Sequence, residues 1–125
     1  MQKIEAVIRP EKILDVKAAL QDLGYGGMTV TEVLGHGTAH GVIEKSKDEE
    51  FWVQFLPKLW LLVVVVDEDV ESVIDVICTA ALTGEPGDGK IFVSDVRDAV
   101  RVRTRERGAS ALTGGTPVHA GSAEG

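Results

Sequence analysis

The chain has 125 residues, 44% of them hydrophobic, and 20 acidic against 13 basic side chains give a formal net charge of −7. That length and composition suit one small globular domain with a modest core and leave no room for a second. The acidic balance excludes a broad nucleic-acid surface, so an anion site has to be a local cluster of donors.

In chain order, KIEAVIR alternates, with Ile4, Ala6 and Ile8 on one face, which predicts a strand over residues 2 to 9. The start MQKIEAVIRP enters this pattern with no signal-peptide core, and no apolar run approaches the length of a membrane span, so a cytoplasmic protein is expected. Pro10 suits the first turn of a helix whose stripe is Ile13, Val16, Leu20 and Leu23, and Gly24 stops it. MTVTEVLG, residues 28 to 35, is rich in β-branched side chains and predicts a second strand. From His36 to Pro57 no period holds, and a connection of that length in a compact domain is a functional or disordered loop.

LWLLVVVV, residues 59 to 66, predicts a strand apolar on both faces. Asp67 or Asp69 is expected to cap a second helix with Val70, Val73, Ile74, Ile77, Cys78 and Ala81 along one side. Cys78, the one cysteine, should then be a buried packing residue with no redox role. TGEPGDG and the strand KIFVSDV follow, and TGGTPVHAGSAEG from Thr113 onward, with little to bury, is expected to be a flexible tail. Residues 1 to 112 thus form one β-α-β, loop, β-α-β domain, the split pattern of a ferredoxin-like α+β fold with a four-stranded antiparallel sheet. Two helices cover one face of such a sheet. The strand that is apolar on both faces needs cover on the other, which predicts self-association.

The stretch GEPGDGKIFV, residues 84 to 93, holds the chemistry of most interest. Gly84, Gly89 and Lys90 fit the first part of the P-loop pattern, but Ile91 stands where that loop needs Ser or Thr for magnesium. The order is also reversed, since here a helix comes first and a strand follows. Gly87, Asp88, Gly89 and Lys90 can instead expose backbone N–H groups and an ammonium to phosphate, and Arg101 and Arg103 share one face if RVR is extended. Plain turn geometry and solvated arginines are the competing explanation; the combination favours an anion cradle.

Catalysis has less support. Asp48, Glu49 and Glu50 form a charged run in the long loop, no nucleophilic triad is visible, and the expectation is a non-enzyme. His36 and His40 have no companion ligand, so no metal site is assigned. Phe51 and Trp52, aromatic in a polar loop, either pack its base or dock on a partner.

The runs IEAVIRP, GMTVTEV, FLPK, TGEPGDGKIFVSDV and RVRT resemble, in order and spacing, the PII signal-transduction family over about residues 1 to 112. The resemblance implies a ferredoxin-like homotrimer that binds ATP, ADP or AMP in clefts between subunits and regulates a partner protein, for instance a membrane transporter, through the long loop. It implies that Gly87, Asp88, Gly89 and Lys90 hold phosphates from one subunit and Arg101 and Arg103 from the next, that Thr29 and Val64 contact adenine, and that Gly35, Gly37 and Thr38 lie near ribose and phosphates. Lys58, with Gly41 beside it, is implied as the site of a small carboxylate or bicarbonate. Phe51 stands where nitrogen-regulating members carry the tyrosine that is uridylylated, so that modification cannot occur there. Thr38, Ala39 and His40 replace a glutamine and basic residues that help hold magnesium and 2-oxoglutarate, and Leu62 replaces an acidic residue that helps fix the nucleotide. These departures resemble PII-like proteins linked to inorganic-carbon uptake or carboxysomes. They leave magnesium use open, with conventional 2-oxoglutarate sensing, a slow ATPase and a metal-binding trimer as rival readings.

Overall fold

The computed structural model describes residues 1 to 36 and 55 to 112. They form β1 (Gln2–Ile8), a single 3-10 turn (Pro10–Lys12) leading into α1 (Ile13–Asp22), β2 (Thr29–His36), β3 (Phe55–Val65), a second 3-10 turn (Asp67–Asp69) leading into α2 (Val70–Ala81), β4 (Gly89–Asp95) and a short α3 (Ala109–Leu112). The four strands make one sheet in the order β2-β3-β1-β4, and every neighbouring pair is antiparallel. Each βαβ unit is therefore split by a strand of the other, as the ferredoxin-like reading requires.

Alternation in the strands decides which side is core. Ile4, Ala6 and Ile8 of β1 and Leu61, Val63 and Val65 of β3 are buried against Val16 and Leu20 of α1 and Val73, Ile77 and Ala81 of α2. At about 1.5–3 kcal/mol for each large apolar side chain removed from water, this layer dominates the fold's stability. Gly24 at φ 95 ends α1, its N–H donating to the Gln21 carbonyl at 2.9 Å, and the Tyr25 N–H donates to the Leu20 carbonyl at 2.9 Å. The turn thus delivers the Tyr25 ring into the core, with its hydroxyl donating to Asp69 Oδ2 at 2.5 Å.

The opposite face carries Lys3, Glu5 and Val7, then Lys58, Trp60, Leu62 and Val64, then Lys90 and Phe92, as the pairing register dictates. Trp60, Leu62 and Val64 are only half-buried in the single chain, and Phe92 is 54% exposed. An apolar face of this kind is what the doubly apolar β3 pattern anticipated.

Three expectations are corrected. β3 begins at Phe55 rather than residue 59: its ladder with β2 continues through Lys58, Pro57 and Leu56 to Phe55 opposite His36. Pro57 is tolerated because β1 stops pairing at Leu59, so one side of β3 is already an edge there. Asp69 occupies the N-cap position of α2 as expected, but neither it nor Asp67 makes a side-chain capping hydrogen bond there. Asp67 instead accepts from the chain's N-terminal amine at 2.9 Å, and Asp69 accepts from Tyr25. Cys78 is exposed, because the seam of α2 runs along Val73, Ile77 and Ala81 and the next residue is turned away from it. The tail from Thr113 and most of the long loop, residues 37 to 54, lie outside the described residues.

Candidate functional site

The site is built around the connection from α2 to β4. Gly84, Gly87 and Gly89 all sit at positive φ, 92, 102 and 121°. Gly89 is irreplaceable on a second ground: a Cβ there would lie 1.8 Å from the Val7 carbonyl oxygen of β1. The chain therefore enters β4 by direct backbone contact with the central strand.

Asp88 holds the turn together. Its carboxylate accepts from the Thr83 hydroxyl at 2.5 Å, the Thr83 N–H at 2.8 Å, the Gly84 N–H at 2.9 Å and Arg9 Nε at 2.9 Å. The Thr83 hydroxyl and N–H, then Arg9, hold this carboxyl far below the usual carboxylate range. Asp88 accordingly faces into its own loop, shaping it. The N–H groups of Gly87 and Asp88 have no acceptor among the described residues.

Two cations from the sheet close on the same turn. Arg9, at the end of β1, also donates through Nη2 to the Pro86 carbonyl at 2.9 Å, and Lys58 Nζ donates to the Gly87 carbonyl at 2.5 Å. Both side chains sit close over Gly87, where a Cβ would stand 3.3 Å from Arg9 Nη2 and 3.7 Å from Lys58 Nζ. The stem of Lys58 crosses Gly35 so tightly that a Cβ on Gly35 would be 2.9 Å from Lys58 Cγ. Burial, then the charge of Arg9, pulls the Lys58 amine below its ordinary value, with Glu11 and Asp88 partly opposing. The result is a local positive corner on an acidic protein.

The register places Thr29, Gly35, Lys58, Val64 and Lys90 on one face of the sheet, the face opposite the helices. Arg101 and Arg103 lie elsewhere, in a turn beyond the far end of β4, and RVR is not extended. Val100 bridges Arg107, the Arg101 N–H donates to the Glu106 carbonyl at 2.9 Å, and the Arg105 N–H donates to the Arg101 carbonyl at 2.8 Å, so residues 102 to 104 turn. Arg101 Nε pairs with Glu106 Oε1 at 2.8 Å, while Arg103 has no ion pair among the described residues. Gly37, Thr38, Gly41, Phe51 and Trp52 lie outside the described residues, as does His40. Within those residues no group of three or more His, Cys, Asp and Glu side chains is placed to hold a metal ion.

Sequence reasoning passed over Arg9, Thr83 and Glu106. Arg9 lies 79 residues from Asp88 along the chain. Only the neighbouring of β1 and β4 brings them together. A signal was present nonetheless: an alternating central strand ends on a cation, immediately before Pro10.

A small antiparallel α+β domain whose donors converge on a glycine turn is built to hold an anion rather than to display a broad charged surface. The comparisons say to which family such a domain belongs. The family model described as "Nitrogen regulatory protein P-II" matches residues 1–106. The chain is 50% identical over 112 residues to the nitrogen regulatory protein P-II of Rhizobium meliloti, covering 90% of this chain and 100% of that one. It is 49% identical over 112 residues to the protein of the same name from Microchaete diplosiphon, with the same coverage. To nitrogen regulatory protein P-II 2 of Methanothermobacter thermautotrophicus it is 47% identical, covering 90% and 97% of the two chains. The chain belongs to the P-II family and is a regulatory signalling protein, not an enzyme. Among the described residues no helix is long and apolar enough to cross a membrane.

Proposed function

We propose that this protein is an adenine-nucleotide sensor that works as a homotrimer and regulates a partner protein through residues 37 to 54. The observation that carries the reading is the α2–β4 turn: three positive-φ glycines and an inward-facing Asp88 leave the N–H groups of Gly87 and Asp88 without an acceptor among the described residues, next in sequence to Gly89 and Lys90. Phosphates of ATP, ADP or AMP are the ligands that suit such a corner. Arg101 and Arg103 of a neighbouring subunit complete it, which accords with their place beyond the other end of β4 in the single chain. Thr29 and Val64 lie on the half-exposed sheet face, where an adenine ring finds apolar contact, and Gly35, Gly37 and Thr38 flank the sugar and phosphates. Phe51 and Trp52 are the anchors for the partner. Nucleotide switches the loop only by binding its conformations unequally.

Beside the phosphates, Arg9 and Lys58 offer two cations to a small carboxylate. This favours a second ligand, and its identity separates two readings. Bicarbonate makes the protein a reporter of energy and inorganic carbon. A dicarboxylate such as 2-oxoglutarate makes it a nitrogen regulator like the relatives whose names say so, and the two-cation corner suits that chemistry at least as well. Calorimetric titration of the nucleotide-saturated protein with each anion, with and without magnesium, decides between them. Heat with bicarbonate alone selects the first reading and heat with 2-oxoglutarate the second; silence with both removes the small-anion site.

A further inference from the structure

The turn from Arg101 to Glu106 is fastened by its two end residues, through main chain and side chain alike. The Arg101 N–H donates to the Glu106 carbonyl at 2.9 Å and its Nε to the Glu106 carboxylate at 2.8 Å. The Thr104 hydroxyl donates to the same carboxylate oxygen at 3.0 Å and accepts the Glu106 N–H at 3.2 Å. On its other side, Arg101 Nη2 donates to the Ser110 carbonyl of α3 at 2.8 Å. A guanidinium carries five N–H donors, and these bonds use the one on Nε and one on Nη2. Both donors of Nη1 have no partner among the described residues.

An isolated exposed ion pair does little. Here the arginine side chain is only 19% exposed while Glu106 is 42% exposed, so it is Arg101 that is set into the turn and Glu106 that braces it from outside. Arg107, paired with Asp98, is 67% exposed by contrast. A long side chain fixed along one edge loses most of its rotamer freedom before any ligand arrives.

We propose that Glu106 is a positioning residue: it fixes one edge of the Arg101 guanidinium against its own turn so that the Nη1 edge is presented, already ordered, to a phosphate group. This rests on the nucleotide reading above. Removing the brace makes the ligand order Arg101 itself, and the charge of Glu106, being largely in water, is a smaller influence than that ordering.

The test is titration of wild type, Glu106→Ala and Glu106→Gln with ATP, ADP and AMP, repeated in an Arg101→Ala background. Glu106→Ala is expected to bind ATP about fivefold more weakly, the scale of ordering one rotamer-rich side chain. Glu106→Gln, which keeps an acceptor for Nε, is expected to restore most of that loss, and in the Arg101→Ala background the Glu106 substitutions change nothing further. A purely structural role would lower the thermal midpoint and weaken binding in both backgrounds alike. Unchanged or tighter binding by both Glu106 variants, with wild type binding normally, overturns this inference alone; no binding by wild type overturns the nucleotide reading with it.

Discussion

Arg9 Nε donates to Asp88 Oδ1 at 2.9 Å, joining the end of the central strand to the loop that enters the edge strand. The same guanidinium holds the Pro86 carbonyl, so one side chain sets both the position and the charge of the turn. We expect Arg9→Ala to lower the thermal midpoint measurably and to weaken binding of any small carboxylate about tenfold, the usual worth of a lost charge-assisted hydrogen bond. Calorimetry on the variant measures both.

The acid limb of stability follows from Asp88. Its folded-state acidity is depressed by the Thr83 hydroxyl and N–H and by Arg9, so its contribution is fully present above about pH 4, the ordinary carboxylate value, and is lost as pH falls toward the lower folded value. Thermal melts from pH 7 down to pH 2 should show a falling midpoint in wild type and a flatter profile in Asp88→Asn.

Tyr25 governs the alkaline limb. Burial, then its hydrogen bond to Asp69, pushes the phenol up to about 12. A raised folded value means stability that is complete below the ordinary tyrosine range near 10 and lost as pH rises through 12. Tyr25→Phe is expected to cost about 1.5 kcal/mol at pH 7 and to remove the alkaline slope between those values, as urea melts would show.

Gly89 allows no side chain. With φ 121° and a Cβ position 1.8 Å from the Val7 carbonyl oxygen, Gly89→Ala must displace β4 from β1. A loss of about 3 kcal/mol or more is expected by chemical denaturation, against a small change for Gly27→Ala, where a Cβ meets nothing within 4 Å.

Arg105 is the one residue other than glycine at positive φ among the described residues, at 66°. Its side chain contributes no hydrogen bond to the turn. Arg105→Gly should therefore raise stability by about 1 kcal/mol, read as a higher thermal midpoint.

The sheet and both main helices were legible because their periods of two and 3.6 are strong, and the glycine turn because its residues are consecutive. What escaped depended on neighbours remote in sequence. The β3 ladder down to Phe55 is hidden by Pro57 and Lys58, which break the apolar run although β2 pairs there throughout. The exposure of Cys78 turns on where α1 settles against α2, a packing outcome that periodicity does not specify to one residue. The bent path of Arg101 to Arg103 comes from Glu106 and Thr104, polar residues whose pairing no alternating pattern announces. Arg9 was invisible as a site residue until β4 was known to lie beside β1.

Nucleotide binding in a cleft completed between subunits is read by calorimetric titration of ATP into wild type and Arg103→Ala. Wild type is expected to bind ATP in the micromolar range and Arg103→Ala about tenfold or more weakly, with the trimer intact by light scattering. Absence of heat with wild type, or equal affinity in the variant, would rule out a nucleotide cleft completed by Arg103.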